Sequence, residues 1–174
     1  GADKVMVFSN RRDQVRKLAD DLYRNGVNCG MLSGEVPQPK RIRTLEAFKS
    51  GKLQVLVATD VAGRGLHIND VSHVINYTLP EEAGDYVHRI GRTGRAGDSG
   101  LAISLLSPHE NYLLEEIEVI LDKRLNQQWL PGYEPDFSKP APSNKKNSKA
   151  AQKKRAKERV YGKNTANQRR KPQR

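Results

Sequence analysis

Eight residues near the middle of the chain, His88-Arg89-Ile90-Gly91-Arg92-Thr93-Gly94-Arg95, carry three arginines and a histidine interleaved with two glycines. Arginine keeps its charge at any physiological pH and presents a planar fork of N–H donors that matches phosphate or carboxylate oxygens. Glycine lets an anion come close to the backbone. The chemistry on offer is recognition of phosphate, with a solvated basic turn as the plain alternative. A second segment, Thr59-Asp60-Val61-Ala62-Gly63-Arg64-Gly65-Leu66-His67-Ile68, offers a hydroxyl, a carboxylate, an arginine and two glycines directly after an apolar run. Loops of this composition turn backbone N–H groups toward anions. Asp60 also has a structural reading, as an N-cap or Asx turn. A third segment, Ser33-Gly34 followed by Gln38 and Arg41, puts a glycine ahead of a helix start. Such a terminus is a ready anion site, and Arg41 adds a formal charge.

Alternating strands and helices are needed to bring these segments together. Lys4 to Phe8 reads as a short buried strand, with Ser9 and Asn10 as N-cap chemistry for a helix over 12–24. In that helix Val15, Leu18, Ala19 and Leu22 keep helical spacing, and Asn25-Gly26 ends it. A strand over 27–32 follows, then a helix over 37–49 with Ile42, Leu45 and Phe48 on one face, closed by Gly51. The nearly continuous apolar run 53–58 suits a strand buried on both faces. Further strands are expected over 71–77 and 101–106, with a short helix beginning at Tyr86. Ser107-Pro108 signals the start of a helix over 110–125. This order implies right-handed βαβ units and a parallel sheet with helices on both faces. In such sheets the functional loops leave the C-terminal ends of the strands, which is where all three segments fall.

Charge divides the chain. Of 31 basic and 20 acidic residues, 14 basic ones and a single acid, Glu158, lie in 139–174. That leaves 17 basic and 19 acidic residues before it, so a nearly neutral folded part carries a strongly cationic tail. A polyanion, most often nucleic acid, is the natural partner of such a tail. Beyond Lys139 only Val160 and Tyr161 offer apolar bulk, too little to offset chain entropy, so 139–174 is expected to be disordered. Between the two lies a transition piece, 126–138, whose aromatics Trp129, Tyr133 and Phe137 are candidates to dock on the domain surface. One cysteine, Cys29, excludes a disulfide framework within one chain and reads as a small core residue. His67, His73, His88 and His109 lack metal-ligand spacing, so no metal is expected. No apolar run approaches a membrane span and no signal peptide opens the chain, so a soluble cytoplasmic protein is expected. The first strand begins almost at once after Gly1, with no Met before it, which implies a segment upstream.

Taken together, these motifs resemble, in order and spacing, the second RecA-like domain of DEAD-box ATP-dependent RNA helicases of superfamily 2. The likeness is dense from Lys4 to Leu106 and weaker to Leu125. It implies a RecA-like domain over 1–125. It implies that Arg92 and Arg95 are arginine fingers reaching the γ-phosphate of ATP held by the other domain. Thr59 and Gly65 would touch RNA phosphate, joined by Gly34, Gln38 and Arg41 and by Ser9 and Arg11 from the first motif. Asp60 and Arg64 would organise the nucleotide side of the interdomain interface. His88 and Arg89 would couple the ATP site to interdomain contacts, with a structural role as the alternative for Arg89. Three positions depart from the usual pattern. Gly63 stands for Ala, His67 for an Asp that contacts the ATP ribose, and Thr78 often for Asp. The Gly-Leu-His variant is similar to the bacterial subgroup typified by RhlB, whose members are associated with a ribonuclease in RNA-decay assemblies. No Gly-x-x-x-x-Gly-Lys-Ser/Thr phosphate loop and no Asp-Glu-Ala-Asp string occurs. ATP and Mg2+ would therefore be held mainly by an N-terminal RecA-like domain, and this part alone, expected to be monomeric, should not hydrolyse ATP. The rival reading is a non-enzymatic RNA-binding or annealing module, against which the pair Arg92 and Arg95 speaks.

Overall fold

Five short apolar runs become strands: β1 (Val5–Phe8), β2 (Cys29–Leu32), β3 (Val55–Ala58), β4 (His73–Asn76) and β5 (Leu101–Ser104). A computed structural model of the chain describes residues 4–63, 66, 68, 71–94, 100–134 and 136. The chain divides into two units, 1–131 and 132–174, and every element named here belongs to the first. The five strands form one sheet in the order β2-β3-β1-β4-β5, and every pair is parallel. The register sets Val7 beside Val57 on one side and Ile75 on the other.

Side chains alternate across a strand, so each strand feeds two cores. Met6, Phe8, Leu56, Ala58 and Val74 point to one face, where they pack with Phe48 of α2 (Gln38–Lys49). Val5, Val7 and Val57 point to the other, against Val15 and Ala19 of α1 (Arg12–Arg24). Helices thus cover both faces, as the pattern of the sequence requires. A third core joins α4 (Ala83–Ile90) to α5 (Asn111–Leu121) through Leu79, Ala83, Tyr86, Leu113, Leu114 and Ile117. Among the described residues β5 is an edge strand, and its Leu101 and Ile103, with Leu105 just after it, are 49%, 40% and 42% exposed.

Several local expectations change. Ser9 and Asn10 do not cap α1. Arg11 is the N-cap, without a side-chain bond, because Ser9 Oγ donates to Gln14 Oε1 and the Asn10 amide is used elsewhere. The helix expected from Tyr86 starts three residues earlier, since burying Ala83 in the third core extends it. A four-residue helix, α3 (Asp60–Gly63), had no counterpart in the sequence reading. The last helix is entered through a 3-10 turn, Pro108–Glu110, where the Glu110 carboxylate accepts the Ser107 N–H at 3.0 Å. It ends at Leu121 rather than 125 because Asp122 takes a left-handed φ of 48° and Lys123 N–H closes on the Glu118 carbonyl. Ile42 is 47% exposed and only Leu45 and Phe48 of its expected row pack inward. Trp129 is 67% exposed, and Phe137 lies outside the described residues. Cys29 is half-buried. Its thiol donates to the Ala19 carbonyl, and burial pushes its pKa up.

Phe48 has no exposed surface, so Phe48→Ala should lower the unfolding free energy by about 3–5 kcal/mol in urea titration. Glu118 makes a second prediction. Its carboxylate accepts the Leu125 N–H at 2.9 Å and pairs with Arg124, and both hold it below its ordinary value. A depressed carboxylate stabilises the fold above its unfolded pKa and loses that contribution as pH falls through the folded one. Acid denaturation should therefore be less steep below pH 4.5 in Glu118→Gln than in the wild type.

Candidate functional site

Parallel strands end together, and here they end in polar residues: Ser9-Asn10 after β1, Thr59-Asp60 after β3, and Asn76-Tyr77-Thr78 at the end of β4. β1 is the central strand from which the order runs both ways. Such a switch point leaves a crevice above the strand ends. Arg89 of α4 fills it and is 1% exposed. Its Nε donates to Asp60 Oδ1 at 2.6 Å, and its Nη2 donates to Asp60 Oδ2 at 2.6 Å and to Asn10 Oδ1 at 2.8 Å. Nη1 donates to Asn76 Oδ1 at 3.1 Å and to the Thr78 carbonyl at 2.7 Å. All five N–H donors of the guanidinium are used. Its carbon also lies 5.3 Å from the centre of the Phe8 ring.

The partners are themselves held. Asn10 Nδ2 donates to the Leu79 carbonyl at 2.8 Å, and its backbone N–H donates to Thr78 Oγ1 at 2.9 Å. Asn76 Nδ2 donates to Ser104 Oγ, which reaches the Tyr86 hydroxyl. One cation thus ties the ends of β1, β3 and β4 to α4. Thr78, where an Asp was the family expectation, serves this network through both its hydroxyl and its carbonyl.

Arg92 stands three residues further on. Its Nη1 donates to the Leu66 carbonyl at 2.9 Å, with longer contacts of 3.5 Å to the carbonyls of Ile68 and Gly63. Arg89 therefore grips the head of α3 and Arg92 the segment beyond its end. Thr59 is buried; its Oγ1 accepts the Ala62 N–H at 3.4 Å and its carbonyl accepts the Gly63 N–H. Thr59, not Asp60, caps α3. Arg41 reaches the Ala62 carbonyl at 3.4 Å, and its Nε is buried with no hydrogen-bond partner among the described residues. Gly34 is exposed, with open space where a side chain would stand, and Gln38 is exposed at the first position of α2. Ser9 is fully buried, while Arg11 is exposed and paired with Asp13 at 2.6 Å. His88 is 70% exposed, 3.6 Å from Asp85. Arg64, Gly65, His67 and Arg95 lie outside the described residues.

The structure thus brings Asn10, Thr59, Asp60, Arg89 and Arg92 to one end of the sheet, with Gly34, Gln38 and Arg41 at the end of β2 and the start of α2. Asn10 and Asn76 were not singled out as site residues. The signal was present, since in-register strands that stop on Asn or Asp aim several acceptors at one point.

The helicase conserved C-terminal domain family matches residues 1–97. The ATP-dependent RNA helicase RhlB of Pseudomonas syringae pv. tomato is 56% identical over 131 residues, which are 75% of this chain and 33% of that protein. RhlB of Shewanella sediminis is 62% identical over 102 residues, 59% of this chain and 23% of that one. The chain spans about a third of the length of the first of these relatives. Among solved structures, Escherichia coli DEAD-box protein SrmB, bound to regulator of ribonuclease activity A, superposes with a TM-score of 0.72 at 40% identity. That match covers 82% of this chain and 83% of the other. The C-terminal domain of the DEAD-box protein Dbp5 gives 0.65 at 31% identity, over 70% and 71%. The RecA-like fold expected from the motifs is the fold found.

Removing the guanidinium would leave the Asp60 carboxylate facing a buried crevice. Arg89→Ala should cost about 3–5 kcal/mol of stability, the usual penalty for breaking a buried pair from one side. Arg89→Lys keeps the charge but not the fork, and calorimetry should place its melting temperature between those of Arg89→Ala and the wild type.

Proposed function

This chain belongs to the helicase conserved C-terminal domain family, in its DEAD-box, RhlB-like branch, and we propose that it is the second RecA-like half of an ATP-dependent RNA helicase. The observation that carries this reading is the arginine arrangement at the strand ends. Arg89 is locked into the fold by the Asp60 carboxylate, and Arg92, three residues on, donates to the carbonyls of Leu66, Ile68 and Gly63. A charged fork can exchange carbonyl acceptors for phosphate oxygens, because phosphate makes the stronger charge-assisted bonds. Arg92, with Arg95, is then the finger that neutralises charge on the transferred phosphoryl group.

Bound ATP with Mg2+, held mainly by an N-terminal RecA-like domain of the same protein, supplies that group. This chain contributes charge and position. Asp60, Arg64 and His67 would serve the nucleotide, with Asp60 acting through Arg89 to fix the head of α3. His88, exposed at the end of α4, is placed to relay closure between domains. The RNA backbone runs past Ser9, Arg11, Gly34, Gln38, Arg41, Thr59 and Gly65. Arg41 supports this most directly, since its buried Nε has donor capacity to spare. Contacts of this kind grip phosphate without reading sequence. Closure of the two domains on ATP would hold one strand and separate short duplexes locally, and hydrolysis would reopen the cleft.

By this reading 1–125 is the helicase domain, 126–138 a transition segment and 139–174 a basic tail that adds salt-sensitive affinity for RNA. The protein acts in the cytoplasm, and the isolated chain, a monomer, is inactive as an ATPase. The RhlB likeness makes a ribonuclease or RNA-decay assembly the partner we favour. Arg92→Ala in the two-domain protein should reduce RNA-stimulated ATP turnover by about a thousandfold with ATP binding retained. Turnover within a few-fold of wild type would leave the chain as an RNA clamp.

A further inference from the structure

Two arginines on α1 have no part in the roles above. Arg12 and Arg16 are four residues apart, so they share one face of the helix. Both converge on one acid. Arg12 Nη1 lies 3.3 Å from Glu35 Oε1, and Arg16 Nη2 donates to Glu35 Oε2 at 2.7 Å. The three side chains are 62%, 60% and 45% exposed, so this is a solvated cluster and not part of any core. Exposed pairs of this kind add little to stability. Their placement is what sets them apart. Glu35 follows Gly34 in the turn between β2 and α2, ahead of Gln38 and Arg41, and Arg12 adjoins Arg11.

A carboxylate shared between two guanidinium forks has the shape and charge of a phosphodiester oxygen pair in the same place. Two cations against one anion also leave the cluster with a net positive charge. We propose that Arg12 and Arg16 form a phosphate subsite that extends the RNA track beyond Gly34 and Arg41, and that Glu35 occupies it as an internal stand-in which RNA displaces. This rests on the RNA-binding reading above and adds to it a control element. Glu35 keeps the arginines oriented while RNA is absent and competes with the backbone when RNA is present. The grip is weakened and release made easier.

The test uses the full chain and a short fluorescein-labelled oligouridylate, with anisotropy titrations over a series of potassium chloride concentrations. Arg12→Ala/Arg16→Ala should bind about tenfold more weakly, with the salt slope reduced by about 0.7, the value for one phosphate contact on a single strand. Glu35→Gln should bind about threefold more tightly, as removal of a competing charge predicts. That gain should vanish when Glu35→Gln is placed in the double-arginine background. All three positions are exposed, so melting temperatures should stay near that of the wild type. If the double variant binds like the wild type while Arg41→Ala binds more weakly, the subsite is wrong and the RNA reading stands. If Arg41→Ala is also unchanged, both fall. A Glu35→Gln gain that persists without the arginines would overturn the stand-in, because Glu35 would then act by bulk repulsion alone.

Discussion

A charge removed from water must be matched by partners, or the fold loses more than the charge contributes. Arg89 sets that demand at the centre of this molecule. Its guanidinium is almost wholly buried, and it is matched by a carboxylate, two amide oxygens and a backbone carbonyl drawn from three strand ends. None of these partners is close to it in sequence; Asn10 is 79 residues away. The three strands can satisfy the ion only if they stop at the same level, and the parallel register makes them do so. Sheet register and buried ion therefore specify each other. Apolar packing alone would tolerate slippage that this ion does not.

The turn that follows α4 carries the second grip. Arg92 lies three residues after Arg89, past the end of α4, and its acceptors lie at and just beyond the end of α3. Four residues make a poor helix on their own, since nucleation is costly and little is gained by so short a run. α3 exists because Thr59 caps it, Asp60 is pinned by Arg89, and its far side is held by Arg92. A segment whose order depends on a side chain of a neighbouring helix and on one from the turn that ends it moves with that helix. On the proposed function, this is a physical basis for linking a nucleotide side to an RNA side without a long chain of intermediaries.

Much of this was legible beforehand, and the reasons are specific. Short apolar runs separated by periodic segments give away β1 to β5, and Val15 with Ala19 gives away the buried face of α1, because solvent exclusion writes itself into residue type. α3 was not legible, since one turn is too short to show a period. Asn10 was misread as a cap. Locally it has every property of one, and its true partner is supplied by a residue on another element. The departures at Gly63 and Thr78 proved quiet for different reasons. A Cβ at Gly63 would come 3.1 Å from the Phe8 ring, so the smaller residue suits that contact, and Thr78 retains the carbonyl and hydroxyl that the network uses.

The edge strand has a further consequence, for the behaviour of the molecule in bulk. Among the described residues β5 is the last strand on its side of the sheet, and Leu101 and Ile103, with Leu105 just after it, are partly open to water, the pattern from which sheets grow by adding copies of themselves. The folded part, with 17 basic and 19 acidic residues, has almost no net charge to oppose such growth. The cationic segment supplies the missing repulsion, taking the chain to +11. It therefore acts as a colloidal stabiliser whatever else it binds. Neutralising that charge would remove the repulsion and lower the barrier to such growth.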